Sequence, residues 1–283
     1  MTDCKKSFAL ILDCDMTITQ DDTTSQLIRS MGENPENFWQ RINGRISEGW
    51  DHPLLWMPEL VKLSKERKKP LTRQSLEEAG KSLEFSPNIP KVFDELKGWF
   101  KERTQAKRNN IDLKIFIISS GLEDMLVHSK LLGHVDEIYG CTYDFDGNGY
   151  ATAPKSAVTF TEKTRYLYSI NKGIQKREER KDPQLVNKYM PYDERPIQLS
   201  NMIYIGDGPS DIPCFSIINR AGGSTVGIRG KKIVPYMDGV ARKLSREFRP
   251  RWGPFTADYT CDSDLVQTIR DILSDMLKSI RLR

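Results

Sequence analysis

Three short apolar runs constrain this chain more than any other feature. They are Ser7-Phe-Ala-Leu-Ile-Leu12, Leu113-Lys-Ile-Phe-Ile-Ile118 and Asn201-Met-Ile-Tyr-Ile205. Runs this short, with little alternation, predict strands buried on both faces, as in a parallel sheet covered by helices. Each run stops at small or acidic residues: Asp13-Cys-Asp15, Ser119-Ser-Gly121 and Gly206-Asp-Gly208. In open α/β sheets, ligands bind beyond the carboxyl ends of the strands. Three polar clusters at three such ends therefore define one expected site, although each alone also reads as an ordinary strand-to-helix turn.

The stretch between the first two strands is far too long for a simple crossover. It carries apolar residues at helical spacing over Thr23–Met31, Pro35–Ile46, Pro53–Ser64 and Leu71–Leu83. Pro35, Pro53 and Thr72 suit helix starts. Residues 22–86 are expected to form an inserted helical domain, with a helix over Pro90–Arg103 returning to the core. The core then comprises 1–21 and 87–283. Ala106 to Asp112 reads as a solvated loop. Leu122–Leu132 and Thr161–Ile170 read as helices, with a hairpin between them, turning at Asp146-Gly-Asn-Gly149. Its Asp-x-Asp-Gly start resembles part of a calcium loop, but the closing ligands are missing. Residues 172–198 read as a charged surface insertion, and Asp264–Arg281 as an amphipathic C-terminal helix.

Composition excludes several classes. The 283 residues carry 43 basic and 39 acidic side chains, a net charge of +4. That excess is weaker than nucleic-acid proteins usually show. The basic stretch Lys172, Lys176, Arg177, Arg180 and Lys181 is interrupted by Glu178, Glu179 and Asp182, so it reads as a solvated face. Gly227-Ile-Arg-Gly-Lys231 lacks the first glycine of a phosphate loop, because Thr225 stands there. Cys4, Cys14, Cys141, Cys214 and Cys261 are odd in number and have no CxxC spacing, which argues against a disulfide framework and a zinc site. No apolar run suffices to span a bilayer, and Phe8–Leu12 is too short for a signal-peptide core. A cytoplasmic chain starting near Met1, with no membrane partner, is expected.

The motifs suggest chemistry. Asp13 and Asp15 lie two positions apart past a strand end, where mutual repulsion opposes ionising both. A cation or a retained proton must offset this, and Mg2+ suits carboxylate and carbonyl oxygens with substrate phosphate. One carboxylate can then be nucleophile and the other acid and base. The bland alternative is a pair of loop-capping aspartates. Gly206-Asp207-Gly-Pro-Ser-Asp211 adds two carboxylates, or a plain turn and helix cap. Ser119-Ser120-Gly121 offers a hydroxyl and backbone N–H groups suited to phosphate, or simply a serine cap. Lys163 is suited to neutralising a phosphate and a carboxylate, though alone it reads as an exposed helical lysine.

Taken together and in this order, DxDxT (Asp13, Asp15, Thr17), Ser119, Lys163 and GDxxxD (Asp207, Asp211) resemble the haloacid dehalogenase superfamily. The likeness is to phosphoserine-phosphatase-like members with a helical cap between the first two motifs. It covers most of the chain outside the insert and the 172–198 stretch. The resemblance implies a Rossmann-like α/β core of parallel strands flanked by helices. It also implies a Mg2+-dependent phosphatase acting on a small phosphorylated metabolite. Asp13 would form an aspartyl-phosphate and Asp15 would serve as acid then base. Asp13, the Asp15 carbonyl, Asp207 and Asp211 would hold the metal. Ser119, Ser120, Gly121 and Lys163 would hold phosphoryl oxygens, with Thr17 bracing the first loop. Transport ATPases of the superfamily have Thr where Asp15 stands, and dehalogenases lack this acid.

Phosphoserine phosphatases have a Glu that reads the substrate amine. Here the matching position is Asp22, beside Asp21, and the shorter side chain puts serine in doubt. Trp50 and Trp56, with Phe38, Trp39, His52 and Met57, make the insert aromatic. They would line a pocket for a cationic or apolar group such as phosphocholine, or simply form the insert's own core. Rival functions are a phosphotransferase using the same intermediate, a phosphate-binding regulatory module without turnover, and a nucleic-acid end-processing phosphatase. The acid–base Asp15 argues against the regulatory module, and the mild charge argues against the nucleic-acid enzyme.

Overall fold

All six residues of β1 (Ser7–Leu12) are buried, which is why the run carries no alternation. A computed structural model describes residues 6–229 and 249–280. In it, β1 lies between β2 (Asp112–Leu122) and β5 (Met202–Gly206), parallel to both. β3 (Glu137–Phe145), β4 (Ala151–Ser156), β6 (Ser224–Arg229) and β7 (Trp252–Thr256) complete a seven-stranded sheet in the order β4-β3-β2-β1-β5-β6-β7. Only the β3–β4 hairpin is antiparallel among these pairings. The chain winds outward from β1 through β2 and β3, then returns to β1's other side as β5. That reversal opens a crevice beyond the carboxyl ends of neighbouring strands. Helices flank the sheet, giving the expected Rossmann-like α/β architecture.

After β1 the insert forms four α-helices: α1 (Thr23–Ser30), α2 (Pro35–Arg45), α3 (His52–Glu66) and α4 (Arg73–Lys81). Their starts follow local chemistry. Asn34 accepts the Glu36 N–H at 2.7 Å, with Pro35 in the first turn. Thr72 and Ser75 form a reciprocal capping box. α5 (Lys91–Lys101) returns to the sheet. The β3–β4 hairpin reaches these helices. Tyr143 Oη donates to the Met57 carbonyl at 2.9 Å, and Ala151 N donates to the Leu71 carbonyl at 2.8 Å. The Arg73 guanidinium lies 4.1 Å from the Phe145 ring centroid.

Two local expectations fail. The helix read over Leu122–Leu132 is only α7 (Glu123–Leu126), because β2 runs on to Leu122. The Ser129 hydroxyl then donates to the Leu126 carbonyl and accepts the Leu131 N–H, diverting backbone groups a longer helix would need. The loop read over residues 106–112 begins inside α6 (Thr104–Arg108), which buries Ala106. The 172–198 stretch is not merely solvated. After α8 (Glu162–Lys172) it forms α9 (Lys176–Lys181), whose Lys176 and Arg180 both pair with buried Glu123. The Gly227–Lys231 stretch begins in β6; Gly230 and Lys231 lie outside the described residues, as do Cys4 and Arg281. Among the described residues, no helix is long and apolar enough to cross a membrane.

Candidate active site

Asp13 N donates to the Ile205 carbonyl at 2.9 Å, continuing the β1–β5 ladder one residue past β1. The chain then turns tightly, with the Cys14 carbonyl accepting from the N–H groups of Thr17, Ile18 and Thr19. Met16 takes a left-handed φ of 60° inside this turn. Asp13 and Asp15 thus leave the sheet at its centre, beside the ends of β2 and β5. Tyr259 Oη donates to the Thr17 carbonyl at 3.0 Å and anchors the far side of the loop.

Lys163 is entirely buried and bridges two carboxylates: Nζ lies 2.9 Å from Asp13 Oδ1 and 2.8 Å from Asp211 Oδ1. The exposed-lysine alternative is therefore excluded. Burial alone would lower its pKa, but Asp13 and Asp211 outweigh that and hold the ammonium charged. Asp211 has two further donors: Tyr204 Oη donates to Oδ1 at 2.8 Å, and Gly208 N to Oδ2 at 3.0 Å. Thr17 Oγ1 donates to Asp207 Oδ1 at 3.3 Å. One oxygen each from Asp13, Asp207 and Asp211 lies within 4.8 Å of the others. Burial, then repulsion from Asp211, pushes the Asp13 carboxyl well above its ordinary value and that of Asp207 up to about 7. Three clustered carboxylates face one ammonium, an imbalance that a divalent cation relieves. All-oxygen donors fit a hard ion such as Mg2+. The Asp15 carboxylate is outside this group.

Asp15 belongs to the other half of the site. Its Oδ1 accepts the Thr23 N–H at 2.8 Å, from the first residue of α1, and Ser119 Oγ lies 3.5 Å from its Oδ2. Burial raises its pKa against these bonds. Gly121 N donates to Ser119 Oγ at 2.9 Å. A Cβ on Gly121 would sit 2.9 Å from both Asp15 Oδ2 and Thr23 Oγ1, so any side chain there must displace them. Ser120 is partly exposed, and its carbonyl accepts the Cys141 thiol.

Asp22 is the N-cap of α1, with Oδ1 accepting the Ser25 N–H at 3.0 Å. Burial and the nearby Asp15 charge raise its pKa to about 7. Trp56 is 2% exposed and packs edge-on against Trp39, so it is part of the core of the helical insert. Trp50 is 45% exposed and donates to Glu48. Sequence reading missed Thr23, Tyr204 and Tyr259. Tyr204 had a signal: a tyrosine inside a fully buried strand needs a partner for its hydroxyl.

Residues 10–216 match the model of the haloacid dehalogenase-like hydrolases. The chain belongs to this family. A relative in Borreliella burgdorferi, itself uncharacterized, is 25% identical over 242 residues, covering 78% of this chain and 81% of that one. Among solved structures, a phospho-aspartyl intermediate analogue of phosphoserine phosphatase has a TM-score of 0.56 at 16% identity, covering 94% of this chain and 99% of that one. A probable phosphoserine phosphatase from Vibrio cholerae has a TM-score of 0.53 at 14% identity, covering 100% and 70%. These likenesses show the phosphoserine-phosphatase-like fold of the haloacid dehalogenase family.

Proposed function

We propose that this chain is a Mg2+-dependent phosphatase that hydrolyses a small-molecule phosphomonoester through an aspartyl-phosphate on Asp13. The observation that carries this reading is buried Lys163 bridging Asp13 and Asp211, with Asp15 held apart by α1. Asp13 receives Cys14 N and Lys163 on Oδ1, and we assign Oδ2 to the attack. In the first step Oδ2 bonds to phosphorus, the ester P–O bond breaks, and Asp15 gives its proton to the leaving alkoxide. In the second, Asp15 takes a proton from water, whose oxygen attacks phosphorus. The acyl phosphate bond breaks, returning Asp13 as carboxylate and releasing phosphate. The raised pKa of Asp15 suits it to hold the first proton.

Asp13, the Asp15 carbonyl, Asp207 and Asp211 would hold the Mg2+, which when bound supplies charge neutralisation for the phosphoryl group. Lys163 has a third N–H to offer a phosphoryl oxygen, and Ser119 and Ser120 would supply further donors, with Thr17 bracing Asp207; the Gly121 N–H is already given to Ser119 Oγ. Residues 22–86 would act as a cap over this site, on the core formed by 1–21 and 87–283. Asp22 would face the substrate's far end. A cationic group there would favour its ionised form, which supports an amine or quaternary ammonium substrate. Trp50 and Trp56 are poorer candidates for substrate contact, the first for its outward exposure and the second for its core packing. A reducing, cytoplasmic setting fits Cys14, Cys141, Cys214 and Cys261, which are all free.

The test is hydrolysis of an aryl phosphate with Mg2+, with EDTA, and by Asp13→Asn. Metal-dependent turnover lost in the variant is the expected result. Phosphate-ligand binding without turnover, in a folded Mg2+-loaded sample, would replace this reading with a binding role.

A further inference from the structure

A cavity of 880 Å3 lies at the opposite end of the sheet from Asp13. Ser7, Asp112 and Glu137, the first residues of β1, β2 and β3, edge it. A six-residue strand puts it roughly 20 Å from the site. Phe116 and Tyr139, 8% and 2% exposed, form an apolar floor, and α9 forms a wall. The volume suits a small organic ligand.

The charges around it are unbalanced. Glu137 is 3.3 Å from Lys176, Asp136 is 3.0 Å from Lys97, and Asp112 also has a partner. Lys114, Arg177 and Lys181 line the same cavity and make no ion pair among the described residues. Three cations without carboxylate partners among the described residues, above an aromatic floor, suit a flat apolar molecule bearing an anionic group.

The wall is tied to the other end of the sheet. Lys176 and Arg180 line the cavity, and both bind Glu123, which is 5% exposed. Glu123 also accepts Gly140 N at 3.2 Å, and it follows Gly121 by two residues. A ligand anion that draws Lys176 or Arg180 inward weakens their hold on a buried carboxylate. That carboxylate stands at the end of the strand carrying Ser119 and Gly121.

We propose that this cavity is a second, regulatory site for a small aromatic anion, coupled to the Ser119–Gly121 turn through Glu123. The binding half stands alone, whereas the coupling half rests on the phosphatase reading. The probe is 1-naphthalenesulfonate, which has no phosphoester to hydrolyse, titrated calorimetrically into the full chain. One saturable site is expected, unchanged in Asp13→Asn. The double variant Arg177→Glu/Lys181→Glu, at two exposed positions, should weaken it at least about tenfold, and neutral 1-naphthol should bind at least about tenfold more weakly. No saturation at millimolar probe, or equal affinity in the double variant, overturns the site. Saturating probe should also change KM or kcat for an aryl phosphate at least about twofold. Glu123→Gln should keep the binding and lose that change. Binding with unaltered kinetics overturns the coupling. A chain that binds probe but never hydrolyses the ester refutes the phosphatase reading and leaves the site standing.

Discussion

Gly121 is where one methyl group decides the site. An added Cβ meets Asp15 Oδ2, Thr23 Oγ1 and Ser119 Oγ at 2.9, 2.9 and 3.2 Å. Gly121→Ala should therefore fold but displace the Asp15 carboxylate, the proposed acid and base, lowering kcat about a hundredfold. Equal turnover in steady-state assays would refute the placement of Asp15. Asp15→Asn keeps the shape and removes the proton. It should lose about 10²–10⁴-fold in kcat while retaining phosphate binding. His52 carries a pH effect on stability. It stacks on Trp39 with centroids 5.5 Å apart, and burial lowers its pKa from 6.5. Below about 6.5 the unfolded chain takes a proton that the folded chain resists, so stability falls as the pH drops. In His52→Gln the urea midpoint should fall less between pH 7 and 5.5 than in the parent.

At the scale of elements, the β3–β4 hairpin fastens the helical insert to the sheet. Tyr143 Oη to the Met57 carbonyl is a buried bond between them. Tyr143→Phe removes that bond while the carbonyl keeps its place in the α3 ladder, and should cost about 0.5–1.5 kcal/mol in urea unfolding. If the insert acts as a cap, loosening this strap should also shift KM for a bulky ester more than for a small one. The hairpin itself was legible from its alternation and the Asp146-Gly-Asn-Gly turn. The short α7 was not, because Ser129 competes for backbone groups through a local bond that apolar spacing does not encode. The pairing of α9 with Glu123 was not legible for a different reason. A run of mixed charge looks solvated until a buried acid such as Glu123 is seen to need its cations.

At the scale of the molecule, three distant segments, those of Asp13, Lys163 and Asp207–Asp211, converge on one cluster of charge. Metal binding there should stabilise the whole fold by mass action, since the unfolded chain does not assemble the cluster. Added Mg2+ should raise the melting temperature, and Asp207→Asn should abolish most of that rise; an equal rise in the variant would place the metal elsewhere. Much of this convergence was written in the chain. Apolar runs ending at Asp13, Ser119 and Asp207 determined a parallel sheet with its polar cluster beyond the carboxyl ends of the strands, because burial on both faces and a polar strand end are local properties. The tertiary structure alone decided who meets whom. Lys163 became a buried bridge between Asp13 and Asp211, Tyr204 and Tyr259 found partners for their hydroxyls, and Trp56 went to the core while Trp50 faced outward. Those outcomes depend on distances between segments far apart in sequence, and no periodicity or spacing carries that information.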